Sequence, residues 1–347
     1  MIRSPAPLIA CQLQITVNAG LHKAHPVNKL RLTGFNSSAQ CYHSFCRPRN
    51  YQVLPSQNVT TRVQSKVHCS NQARSASTNV AEHLVESAKR MAAQRAVDEQ
   101  LSPHHSWVGI GSGSTVKYVV EAIAKLDRSI TKRMTFVPTG DQSRLLIEGA
   151  GLRVGTLSQL PDDTLLDVSF DGADEIDDEL NLIKGGGACL LQEKIVAAAS
   201  KRFICVADCR KLSTRLGANW EKGIPIEVLP LAATRVLAEL RRLGSVNPQI
   251  RQGGAQKAGP IVTDNGMWII DAPFPPLALP HDPAANKPGK GGVWPVEELS
   301  NRLMSLPGVI DTGIFTGKNG NQVRGGAQKP VAVYLGMANG EVGKLGG

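Results

Sequence analysis

Trp107-Val108-Gly109-Ile110-Gly111-Ser112-Gly113-Ser114-Thr115 begins as a short apolar run and breaks into alternating glycines and hydroxyls. Val116, Val119, Val120 and Ile123 follow at helical spacing. The stretch therefore reads as strand, tight turn and helix, the opening of a βα unit. Working outward, Met134–Pro138, Leu165–Phe170 and Phe203–Ala207 read as further strands, and Ala81–Leu101 and Leu190–Ser200 as helices. Strands separated by helices of this size predict an α/β fold with a mostly parallel sheet covered on both faces.

The rhythm changes after Asp208. A strand at Ile224–Leu229, a helix at Leu231–Leu243, a hairpin around Asn265-Gly266 and a helix at Val296–Leu306 describe a smaller α+β unit, placed as a lid over the first sheet. Pro280–Gly292 is rich in glycine and proline and reads as a surface loop. These shifts divide the chain into a leader over 1–78, a catalytic unit over 79–222, a lid over 223–312 and a C-terminal return to the catalytic unit over 313–347.

Charge location decides between partner classes. The net charge is +10, yet residues 1–81 carry nine Lys or Arg and no Asp or Glu, which leaves 30 of the 39 basic residues to set against all 29 acids. The body is close to neutral, so no nucleic-acid partner is expected. No run approaches the 18 or more apolar residues of a membrane span, and no membrane partner is expected. The basic leader fits a mitochondrial presequence, a disordered tail or upstream sequence outside the working protein. The expected location is the cytoplasm, with mitochondrial import the alternative. Seven cysteines without CxxC spacing argue against a disulfide framework or a zinc site.

Three segments could carry chemistry. In Gly109–Thr115 the glycines let successive amides and the hydroxyls of Ser112, Ser114 and Thr115 converge on an anion at a helix start. The spacing is GxGxG and the P-loop lysine is missing, so dinucleotide and nucleoside-triphosphate motifs both fail. A tight turn without a ligand fits the same residues. In Asp171-Gly172-Ala173-Asp174, calcium is disfavoured because Ala173 stands where an EF-hand needs an oxygen. Both aspartates follow a strand end, where open α/β sheets gather ligands. Glu175, Asp177, Asp178 and Glu179 read as solvent-facing. In Lys184-Gly185-Gly186-Gly187, a lysine stands beside a backbone able to approach a substrate closely, and Glu193 lies about one turn inside the next helix.

In this order, GSGST, DGADEID and KGGGACLLQEK resemble the signatures of the ribose-5-phosphate isomerase type A family. The resemblance continues through Val206–Lys211, Ile224–Pro230, Val262–Gly266, Ile270–Phe274 and Leu306–Phe315, so it runs from about residue 80 to the end. It implies a Rossmann-like sheet with a ferredoxin-like lid, assembled as a homodimer or homotetramer. It also implies a sugar-phosphate site lined by Ser112, Gly113, Ser114, Thr115, Asp171, Gly172, Ala173, Asp174, Lys184, Gly185, Gly186, Gly187 and Lys211. Glu193 matches the family's proton acceptor, and Ser112 stands where the family commonly has threonine.

The implied reaction interconverts ribose 5-phosphate and ribulose 5-phosphate by proton transfer through an enediolate. A partly buried carboxylate suits the base, Lys184 would face the developing negative charge, and Asp171 and Asp174 would handle hydroxyl protons. None of the eight histidines falls in a motif, so a route without metal or cofactor is favoured. A non-catalytic sugar-phosphate-binding regulator on the same fold is the alternative. It should lack the base and carry a DNA-binding module, whereas Glu193 and Lys184 are present and the leader shows no helix-turn-helix pattern.

Overall fold

The computed structural model describes residues 82–347 except Gln256, so the leader predicted over 1–78 lies outside the described residues. Helix α1 covers 82–100 and buries Ala88, Ala92, Ala93, Ala96 and Val97 along one stripe. Next come β1 (Trp107–Ile110), α2 (Val116–Ala124), a short α3 (Arg128–Thr131), β2 (Thr135–Pro138), α4 (Asp141–Gly149) and β3 (Val168–Asp171). A hairpin of β4 (Glu175–Ile176) and β5 (Leu182–Ile183) precedes α5 (Leu190–Ala198) and β6 (Phe203–Asp208). The second part holds β7 (Ile224–Val228), α6 (Ala233–Arg242), β8 (Gln249–Ile250), β9 (Trp268–Ala272), α7 (Val296–Met304) and β10 (Val309–Thr312). The chain ends with β11 (Ile314–Phe315), β12 (Ala332–Gly336) and β13 (Val342–Gly346).

Six strands form the main sheet in the order β13-β12-β6-β3-β1-β2. All neighbours are parallel except the edge strand β13. Buried on both faces, these strands run nearly continuously apolar, as parallel strands must. Their common direction places Gly111, Asp171 and Asp208 together at the carboxyl edge, where loops can meet a ligand. A four-stranded antiparallel sheet, β10-β7-β9-β8, packs against α6 and α7 around Ile226, Val228, Val236, Leu240, Ile270, Leu299 and Leu303. Between them lies a small sheet, β11-β5-β4.

Several expectations need correction. Glu175 and Asp177 do not face solvent; they are 0% and 1% exposed. Glu175 accepts from the amides of Gly217 at 2.5 Å and Asn219 at 2.7 Å. Asp177 accepts from the Glu179 amide and from both the amide and side chain of Asn181. Loop amides buried by the hairpin need acceptors, and these carboxylates supply them. Asp178 and Glu179 do face outward. The helix read from Leu231 begins at Ala233 after a 3-10 turn over Pro230–Ala232, which leaves Leu231 91% exposed. Within the 280–292 loop, Asp282 is buried and paired with Arg215.

Candidate active site

The site assembles where the main sheet's carboxyl edge meets the loop between β5 and α5. Asp171 is the last residue of β3, so register alone sets its carboxylate beside the turn after β1. Gly111 has to be glycine, because a Cβ there would lie 2.0 Å from the Asp171 carboxyl. That close approach lets Asp171 Oδ1 accept from the amides of Ser112 at 3.1 Å and Gly172 at 2.7 Å. The other oxygen, Oδ2, lies 2.9 Å from Lys184 Nζ. Lys184 also donates to the Gly172 carbonyl at 2.5 Å.

Glu193 enters from the first turn of α5, and its Oε2 comes within 3.3 Å of Lys184 Nζ. The contact is an ion pair at the long end of hydrogen-bond range, and among the described residues the buried Oε2 has no well-aligned hydrogen-bond donor. Lys184 and Glu193 are 3% and 5% exposed, so their charges interact with little solvent screening. Burial, reinforced by the negative charge of Asp171 and opposed by Lys184, pushes the Glu193 carboxyl up to about 8. Burial also raises Asp171, against the pull of Lys184. For Lys184 burial acts the other way, but Asp171 and Glu193 outweigh it and hold the ammonium above its ordinary value. One cation thus serves two buried carboxylates, both raised by burial.

Every residue proposed from sequence except Asp171 lines one cleft: Ser112, Gly113, Ser114, Thr115, Gly172, Ala173, Asp174, Lys184, Gly185, Gly186, Gly187, Glu193 and Lys211. Asp171 is buried and paired with Lys184, which does line the cleft. Asp174, on the wall, accepts from the Gly186 amide at 2.7 Å, and a Cβ on Gly186 would lie 2.7 Å from its Oδ1. Across the cleft, the Ser112 hydroxyl meets Thr139 Oγ1 at 2.8 Å, and the Gly113 amide donates to Gln142 Oε1. Among the described residues no group of three or more His, Cys, Asp or Glu is arranged to hold a metal ion.

Sequence reasoning missed three neighbours. Asp208 also lines the cleft; it ends β6 as Asp171 ends β3, so the strand-end argument covered it equally. Lys89 is 7% exposed and donates to Ser114 Oγ at 3.1 Å. Its signal was a lysine set on the alanine stripe of α1, where a charge needs a buried partner. Thr139 lies at the turn after β2 and offered no signal of its own.

A carboxylate raised toward neutrality with an ammonium beside it can move a proton, and the relatives make this chain an aldose-ketose isomerase. The chain belongs to the ribose 5-phosphate isomerase A (phosphoriboisomerase A) family, whose family model matches residues 135–329. It is 51% identical over 240 residues to ribose-5-phosphate isomerase of Eremothecium gossypii, covering 67% of this chain and 87% of the relative. With that of Lodderomyces elongisporus it shares 46% identity over 258 residues, 74% of this chain and 80% of the relative. Among solved structures, a D-ribose-5-phosphate isomerase in complex with phospho-erythronic acid superposes with a TM-score of 0.62 at 34% identity, covering 76% of this chain and 99% of the other. Ribose 5-phosphate isomerase A of Methanocaldococcus jannaschii gives 0.60 at 30% identity, covering 75% and 98%.

Proposed function

We propose that this chain interconverts D-ribose 5-phosphate and D-ribulose 5-phosphate, a step of the pentose phosphate pathway, with Glu193 moving the proton. One observation carries the assignment of the base: Glu193 is the cleft carboxylate raised to about 8, with its Oε2 left without a well-aligned hydrogen-bond donor among the described residues. A base so placed takes the C2 proton of the open-chain aldose and returns it at C1, so the same group acts as base and then acid. Lys184, 3.3 Å from that carboxylate, balances the charge that develops on O1 and O2 of the enediolate. Asp174, on the cleft wall, exchanges protons with substrate hydroxyls. Asp171, paired with the lysine, acts through Lys184 by holding its charge in place.

The phosphate belongs at the other end of the cleft. Ser112–Thr115 offers hydroxyls and amides at the start of α2, and Lys89 and Lys211 add positive charge there. Anchoring the phosphate restrains C1 and C2 beside Glu193 and commits binding energy to the chemical step. The reading extends to a homodimer or homotetramer, supported by the nearly fully exposed Leu231 and checked by light scattering after size exclusion. It also extends to a cytoplasmic location, because the isomerase body needs no particular compartment, with mitochondrial import the alternative, checked by imaging a fusion that retains residues 1–81.

The deciding experiment follows conversion of ribose 5-phosphate in excess chelator for the parent and for Glu193→Gln at matched folding. Fast parent turnover and a loss of roughly 10²–10⁴ in the variant is the expected result. A folded parent that binds the sugar phosphate without converting it would sink the isomerase reading.

A further inference from the structure

Arg251 follows β8 in the smaller α+β unit, and all three nitrogens of its guanidinium are engaged. Nε donates to Asp271 Oδ2 at 2.8 Å and one Nη donates to the other oxygen of that carboxylate. The remaining Nη donates to two carbonyls of the glycine loop, Gly185 at 2.9 Å and Gly186 at 3.1 Å. Asp271 lies on β9, so the fork ties a regular sheet to the loop that follows Lys184.

The tie fixes peptide orientation. The unit joining Gly185 to Gly186 is held at both ends, its carbonyl by Arg251 and by the Ala188 amide at 3.0 Å, its amide by Asp174. In a planar trans peptide the C=O and N–H point in opposite directions. With the Gly186 carbonyl also drawn to Arg251, the Gly187 N–H is turned the other way, toward the side on which Gly186 and Gly187 line the cleft. That amide donates to no group among the described residues. Glycine loops have many accessible backbone states; the turn bond from Ala188 fixes the Gly185 carbonyl, and the Gly186 carbonyl, whose peptide carries the Gly187 amide, is fixed by Arg251.

We propose that Arg251 is a positioning residue: by drawing the carbonyls of Gly185 and Gly186 out of the cleft, it aims the Gly187 amide at an enediolate oxygen. The inference rests on the isomerase reading above and adds to it a source of oxyanion stabilisation other than Lys184. Arginine is required by geometry, since one planar fork reaches a carboxylate and two carbonyls together, while a lysine ammonium has a single nitrogen.

The test compares the parent with Arg251→Ala and Arg251→Lys, the second keeping the charge so that folding is retained. Turnover, KM, and the affinities for phospho-erythronic acid and for inorganic phosphate are measured on each. Phospho-erythronic acid presents a planar carboxylate where the enediolate carries its oxygens; inorganic phosphate probes the distant anchor alone. Loss of an aimed donor lowers kcat roughly 10–100-fold in both variants, leaves KM within about threefold, and weakens the acid without weakening phosphate. A purely structural tie would reduce the folded fraction and leave the acid affinity of the folded protein unchanged. That result, or kcat within threefold of the parent in Arg251→Lys, overturns the proposal. A parent without isomerase activity overturns the functional reading and this inference with it, and it is seen in the parent alone.

Discussion

Replacing Glu193 by glutamine should lower turnover roughly 10²–10⁴-fold and, as the pH rises, leave a protein more stable relative to the parent. A carboxyl raised from 4.5 to about 8 binds its proton more tightly in the folded chain than in the unfolded one. The folded chain therefore holds the extra proton between these two values, and stability falls as pH rises through that window. Below the window both states are protonated; above it the folded state must carry a buried carboxylate. Two units of the window lie between pH 6 and pH 8, worth about 2–3 kcal/mol at 1.4 kcal/mol per unit. Glutamine keeps the shape and does not titrate, so between pH 6 and pH 9 the variant should gain about that much on the parent. Urea unfolding of both proteins at each pH and one fixed protein concentration gives the difference, in which titrating groups remote from Glu193 cancel and only Asp171 and Lys184 beside it do not. The same pKa sets a rising limb of kcat/KM centred near pH 8, with about a tenth of the plateau at pH 7. A stability difference that stays constant with pH, or moves toward the parent, would refute a proton-holding Glu193.

Other substitutions separate the parts of the site. Lys184→Met should lower kcat roughly 10²–10³-fold while slow exchange of the C2 proton into deuterated water persists, followed by NMR. Lys194 is 6% exposed and bonds Asp311 at 2.5 Å and the Thr312 carbonyl at 2.6 Å. Lys194→Met leaves that carboxylate unpaired and should cost about 3–5 kcal/mol in urea unfolding. Lys89→Ala should raise KM for the sugar phosphate about tenfold, one charge-assisted contact's worth, with kcat nearly unchanged, and should weaken inhibition by inorganic phosphate to the same degree.

The sheet was legible because a parallel core writes itself as short apolar runs broken by glycine turns, and β1, β2 and β6 appear where those runs lie. Helix α4 was not legible, since only Ser143 and Ile147 of its nine residues are buried and its apolar period is weak. The three site motifs were legible because glycines and acids interrupt strong secondary structure in short stretches. Lys89 and Arg251 were not: each reaches the site from an element far away in sequence, and only the packing of α1 and β8 brings them in. Glu175 and Asp177 misled because an acid run has the same composition whether it meets water or caps buried amides. The pairing of Asp171 with Lys184 was not legible either, since the two stand on separate motifs and only the fold brings them to 2.9 Å.

On the proposed reading of Glu193, the shared Lys184 explains why the site can hold a base at all. Two buried carboxylates with no cation would both take up protons and stay neutral, leaving nothing to abstract one. With a cation shared equally, both would ionise and neither would hold a proton for long. Here Asp171 has two amide donors and the 2.9 Å ion pair, while Glu193 has only the longer, unaligned contact. The asymmetry gives Asp171 the better-stabilised negative charge of the two and, on the proposed reading, leaves the exchangeable proton to Glu193. An isomerase base must return the proton it takes, so a carboxyl near its ordinary 4.5 would give the proton up too readily and a much stronger base would keep it. A value about 8 lies close to the pH at which both halves of the transfer run at comparable cost.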